Sequence, residues 1–120
     1  MRNALPPIAI CSLLSLCAVA QLEVVEIEEP QLAKSITGVV NDPSGAALPG
    51  VTVEERSADW KSVLRSTETD ARGRFHFSKT KNKTVYYIEF SRSGFNWLRI
   101  KMQLDKKAKR SLVVKMTIGT

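Results

Sequence analysis

From Ser35 to the C-terminus, apolar residues recur at every second position, and turn signals cut the pattern roughly every ten to fifteen residues. That period excludes an amphipathic helix, which needs apolar residues three and four apart. Ile36, Gly38 and Val40 share one face against Thr37, Val39 and Asn41; the run stops at Asp42-Pro43-Ser44-Gly45, an order that suits a type I turn. After Leu48-Pro49-Gly50, a second strand sets Val51 and Val53 opposite Thr52 and Glu54. The spacing predicts a third strand over residues 62–69 and a fourth over 74–78, with Phe75 and Phe77 on one face. A fifth, over 84–91, turns Tyr86, Ile88 and Phe90 one way. A sixth aligns Leu98, Ile100, Met102 and Leu104, and a seventh aligns Leu112, Val114, Met116 and Ile118. The expected fold is all-β, a seven-stranded antiparallel β-sandwich.

The N-terminus is a different kind of sequence. Arg2 is followed by the apolar run Ile8 to Cys17, which is too short to span a bilayer as about twenty residues would, and Ala18-Val19-Ala20 then precedes Gln21. A positive start, a brief apolar run and small residues at −3 and −1 predict a secretory signal peptide over residues 1–20. In the alternative, Cys17 is the acylated residue of a bacterial lipoprotein, and only then is a membrane a partner. Leu16 is bulkier than the residue such processing takes. Cys11 and Cys17 both lie in this segment, so a chain beginning at Gln21 has no thiol for a disulfide or a nucleophile. With one His left, no zinc site of four such ligands can be assembled.

Charge divides the remainder. Residues 21–30 hold four Glu and no base, whereas 31–120 hold seventeen Lys and Arg against eight Asp and Glu. Pro30 marks a break, and residues 21–34 read as an acidic arm ahead of a domain over 35–120. The arm is either a flexible leader or a strand on the domain's edge. The basic runs 79–83 and 106–110 fall between strands, where charge keeps tips soluble and discourages edge pairing. Nucleic acid is not an expected partner of an exported chain. Anionic envelope polymers are compatible with the net charge of +6.

The string Ile36-Thr37-Gly38-Val39-Val40-Asn41-Asp42-Pro43-Ser44-Gly45, then Pro49-Gly50-Val51-Thr52-Val53, Thr69-Asp70-Ala71-Arg72-Gly73-Arg74-Phe75-His76-Phe77 and Ser93-Gly94-Phe95 resembles the carboxypeptidase regulatory-like domain. The resemblance implies a transthyretin-related sandwich with an Ig-like Greek key, of bacterial type, placed beside catalytic domains or receptor barrels as a scaffold. Related sandwiches bind carbohydrate. The motif residues Gly38, Asp42, Gly45, Pro49, Gly50, Asp70, Gly73, Phe75 and Gly94 are expected to build turns and core. Calcium at Asp42 and Asp70 would need six to eight oxygens, and only two carboxylates are at hand.

No catalytic or metal-binding residue and no cofactor is expected. His76 points away from the core beside Arg74 and has no motif-level acid or nucleophile. A transthyretin-like hydrolase would carry several His and a C-terminal Tyr-Arg-Gly-Ser, which this chain lacks. Period two places Phe95, Trp97, Arg99, Lys101 and Gln103 on one face of the sixth strand. Trp97, Arg99 and Lys101 are therefore candidate ligand-binding residues, as is Trp60 in the loop after the second strand. The expected role is a non-catalytic, exported module, periplasmic or extracellular, for an unknown protein or polysaccharide of the envelope. The alternative is a carbohydrate-binding module using an exposed Trp.

Overall fold

The computed structural model describes residues 23–109 and 111–119. The expected signal peptide over residues 1–20, with Cys11, Cys17 and the expected cleavage point before Gln21, lies outside the described residues. Eight strands are present among them: β1 (Val24–Ala33), β2 (Ile36–Asn41), β3 (Thr52–Arg56), β4 (Val63–Glu68), β5 (Arg74–Phe77), β6 (Val85–Ser91), β7 (Trp97–Leu104) and β8 (Leu112–Lys115). Strands β2 to β8 are the seven that the alternation predicts. The eighth, β1, is the acidic arm, which is a strand rather than a leader over these residues.

The strands form a five-stranded sheet in the order β1-β7-β6-β3-β4 and a three-stranded sheet in the order β5-β2-β8. Two pairings are parallel, β1 with β7 and β2 with β8, where an antiparallel sandwich is expected. Alternation fixes which face a residue takes and says nothing of a neighbour's direction. Val24 lies against Trp97 and Gly38 against Leu112, so no hairpin joins either pair or dictates its sense. The pairing of β1 slips between Ile27 and Gln31. Pro30 falls in that slip, and a residue without an N–H is tolerated there because β1 is an edge strand.

The core lies between the sheets. Val51, Val53, Tyr86, Ile88, Phe90, Leu98, Ile100 and Met102 meet Ile36, Val40, Phe75, Phe77, Leu112, Val114 and Met116. Phe75 and Phe90 join the two layers edge to face, with ring centroids 5.3 Å apart. A Cβ on Gly38 would stand 2.8 Å from Phe75 Cε1 and 2.9 Å from Leu112 O, so only glycine lets β2 approach that ring. Ile118, expected to face inward, is exposed. The strand ends at Lys115, and Ile118 instead forms an isolated bridge with Phe95. Ala33, the last residue of β1, is buried in the core and ties the arm to the sandwich.

Candidate functional site

The motif turns satisfy their own carboxylates. Asp42 Oδ1 accepts from Ser44 N at 2.8 Å, Ser44 Oγ at 2.6 Å and Ala46 N at 3.0 Å. Asp70 Oδ1 accepts from Arg72 N and Arg74 N, both at 2.9 Å, and Gly73, at φ 74°, turns the chain into β5. The Ser44 hydroxyl holds the Asp42 carboxyl below the usual carboxylate range, and the Arg74 amide does the same for Asp70. His76 stands on the exposed face of β5, with Nδ1 2.8 Å from Thr37 Oγ1.

The outer face of the five-stranded sheet holds a different arrangement. Glu89, on β6, is 1% exposed although it points away from the core. Its carboxylate lies 2.8 Å from Arg99 Nε and 3.2 Å from Arg56 Nε, and Arg56 Nη2 also meets Glu54 at 2.7 Å. Burial of a carboxylate is tolerated only with such partners. A second buried acid, Glu55, closes one end of the core with Arg65 Nε at 2.6 Å and with Lys83. Lys83, expected to be a solvated member of the 79–83 run, is thus a structural cation.

Trp60 is folded onto this outer face. It has φ 68°, a conformation that costs a bulky residue about 1–2 kcal/mol. The loop over 57–62 holds it there by several bonds: Trp60 N donates to Ser57 O at 2.8 Å, Ser57 Oγ to Asp59 Oδ1 at 2.6 Å and Lys61 N to Asp59 Oδ1 at 3.0 Å. The Ser57 hydroxyl holds the Asp59 carboxyl below its ordinary range. Arg56 Nη1 donates to Trp60 O at 2.9 Å, which joins the loop to the ion-pair network. The indole meets Tyr87 edge to face at 5.5 Å, Arg99 lies 5.0 Å from the indole centroid, and Lys101 Nζ lies 5.7 Å from the Tyr87 centroid.

These residues border a groove of about 330 Å³, lined by Glu26, Ile27, Glu28, Ala58, Trp60, Tyr87 and Lys101. The structure therefore brings Trp60, Arg99 and Lys101 together. Trp97 is on the same face, 40% exposed, but stands toward the other end of β7 beside Thr52, Ser91 and Arg92. Phe95 leaves that face and packs against the core. Sequence reasoning missed Tyr87, Glu26, Glu28 and Glu89. Period two places Tyr87 and Glu89 on the outer face, but only the register Glu89↔Arg99 and Tyr87↔Lys101 shows what they touch.

A family model described as the carboxypeptidase regulatory-like domain matches residues 35–117. No curated protein matches the chain. Among solved structures, the crystal structure of 3-chlorocatechol 1,2-dioxygenase from Rhodococcus opacus 1CP is 14% identical, with a TM-score of 0.41, covering 83% of this chain and 67% of that one.

Proposed function

The chain belongs to the carboxypeptidase regulatory-like domain family, and from that membership we propose that it is a non-catalytic, exported β-sandwich module that binds a protein or polysaccharide of the cell envelope. The observation that carries this reading is the outer face of the five-stranded sheet. There, Arg56 and Arg99, both paired with Glu89, hold Trp60 through its carbonyl and its ring at the side of an open groove. Preorganised side chains on strands are how a scaffold presents a binding surface. Export rests on the leader pattern of residues 1–20.

Expression of the full chain in a Gram-negative host, with fractionation and intact mass, tests both parts. The expected product begins at Gln21 and co-sediments with insoluble envelope polymers in a way that Trp60→Ala abolishes. A cytoplasmic protein retaining Met1, or equal sedimentation by the variant, would sink the reading.

A second reading, a carbohydrate-binding module, is favoured by the Trp60–Tyr87 pair, which supplies aromatic surface beside the donor Lys101. Trp97 is a separate platform and can serve only a ligand long enough to reach along the face.

A further inference from the structure

One wall of the groove comes from outside the family domain. Glu26 and Glu28 stand on β1, which ends at Ala33, and the family match begins at residue 35. The matched domain supplies the aromatic and cationic half of the groove; the N-terminal strand supplies the acidic half. Backbone pairing fixes that strand, with Glu26 in register with Arg99 and Ile27 with Ile100. Its entry is pinned as well: Glu23 N donates to Asn96 Oδ1 at 3.0 Å, and Trp97 N donates to Glu23 O at 2.9 Å.

The charges select the ligand. Arg99 already lies over the Trp60 ring and Lys101 over the Tyr87 ring, so a third cation brought to these rings meets repulsion instead of a free π face. On the facing wall, Glu26 and Glu28 are exposed and stand in no ion pair among the described residues, so a polyanion is repelled there. A neutral polyhydroxylated ligand satisfies both walls. Its hydroxyls donate to the two carboxylates, its oxygens accept from Lys101, and its apolar C–H face lies against the aromatic pair. The volume of about 330 Å³ is near the lower bound of ordinary ligand sites, roughly 300–1,000 Å³, and suits a short stretch of a saccharide chain.

We infer that the N-terminal strand completes a subsite for a neutral oligosaccharide, in which Glu26 and Glu28 accept hydroxyl donors and exclude polyanions. The inference rests on the carbohydrate reading and adds to it the role of the arm and the charge of the ligand.

Isothermal titration of the full chain with neutral hexasaccharides of glucose, xylose and N-acetylglucosamine, with hexagalacturonate and with a chitosan hexamer tests it. At least one neutral hexamer is expected to bind, and neither charged one. The double variant Glu26→Gln/Glu28→Gln is expected to lose roughly tenfold in affinity, the scale of a hydrogen bond to a charged group, and to gain affinity for hexagalacturonate. Glu68→Gln, on the exposed face of β4 at the opposite edge, is expected to change nothing. The single variants Glu26→Gln and Glu28→Gln keep the measurement valid if the double variant unfolds. Neutral binding that Trp60→Ala abolishes and the Glu variants leave within twofold would overturn the role of the arm and leave the carbohydrate reading standing. A preference for either charged hexamer would overturn the selectivity. Absence of all saccharide binding would overturn both.

Discussion

Arg99→Met should destabilise the protein more than Glu89→Met, although the two side chains share one ion pair. Glu89 is 1% exposed, accepts a hydrogen bond from Arg99 Nε at 2.8 Å and stands in an ion pair with Arg56 Nε at 3.2 Å. Removing Arg99 deletes a charge-assisted bond worth about 1.5–3 kcal/mol and the cation over Trp60, worth about 0.5–1 kcal/mol, and leaves the buried carboxylate to Arg56 alone. Arg56 also serves Glu54 and compensates only in part. The expected cost is about 3 kcal/mol. Glu89→Met removes the buried charge itself. The side chains of Arg56 and Arg99 are 18% and 25% exposed and can turn to water, so the expected cost is about 1 kcal/mol.

The double variant should then lie closer to Glu89→Met than to Arg99→Met, because no carboxylate remains to be stranded. Urea unfolding, followed by far-ultraviolet circular dichroism and by tryptophan emission, measures all three. For a domain of this size each kcal/mol moves the melting temperature by about 4–8 °C, so the singles are readily told apart. The reasoning fails if Arg99→Met stays within about 0.5 kcal/mol of the parent, or if the two costs simply add.

Gly73→Ala places a side chain at φ 74° with its Cβ 2.6 Å from Val40 O, and a loss of about 2–4 kcal/mol in equilibrium unfolding is expected. Phe75→Ala, at a ring 3% exposed, should cost roughly 3–5 kcal/mol, whereas His76→Ala on the opposite face should stay within about 0.5 kcal/mol; the reverse order would mean that the faces of β5 are inverted. The carboxyls of Asp42, Asp59 and Asp70 are held below their ordinary range, so their contribution is complete above that range and is lost as pH falls through the depressed values. Melting temperature should be flat on the acid side down to the ordinary carboxylate range and drop below it, and Asp70→Asn should blunt that drop.

Period two sufficed for the faces of β5, β6 and β7, because Phe75, Tyr86, Ile88, Phe90, Leu98 and Ile100 face a core whose two walls are sheets. It also held the information for Glu55, which follows Val51 and Val53 on the inward face; an inward Glu at a strand's end asks for cations, and Arg65 and Lys83 answer from β4 and from the loop before β6. What the sequence leaves hidden is which strands meet. Trp60, Tyr87, Lys101 and Glu26 come from a loop and three strands, and no local spacing relates them. The same ignorance of partners left β1 undecided between leader and strand, because its outward face is polar whether or not β7 lies beside it.

The split between an acidic arm and a basic domain takes on a meaning once β1 is seen against β7. A flexible acidic leader would spread its charge over the whole basic surface. As a strand, it delivers Glu26 in register with Arg99, and Glu28 to the groove that Lys101 also lines. Parallel pairing with β7 specifies direction, the slip at Pro30 resets the register, and Ala33 in the core anchors the end. Most of β1 is nevertheless exposed, so burial of apolar area contributes little to holding it. Its position rests on backbone pairing along one edge and on the buried Ala33 at its end. The arm is therefore the least firmly held wall of the groove, and the wall whose charge distinguishes one ligand from another.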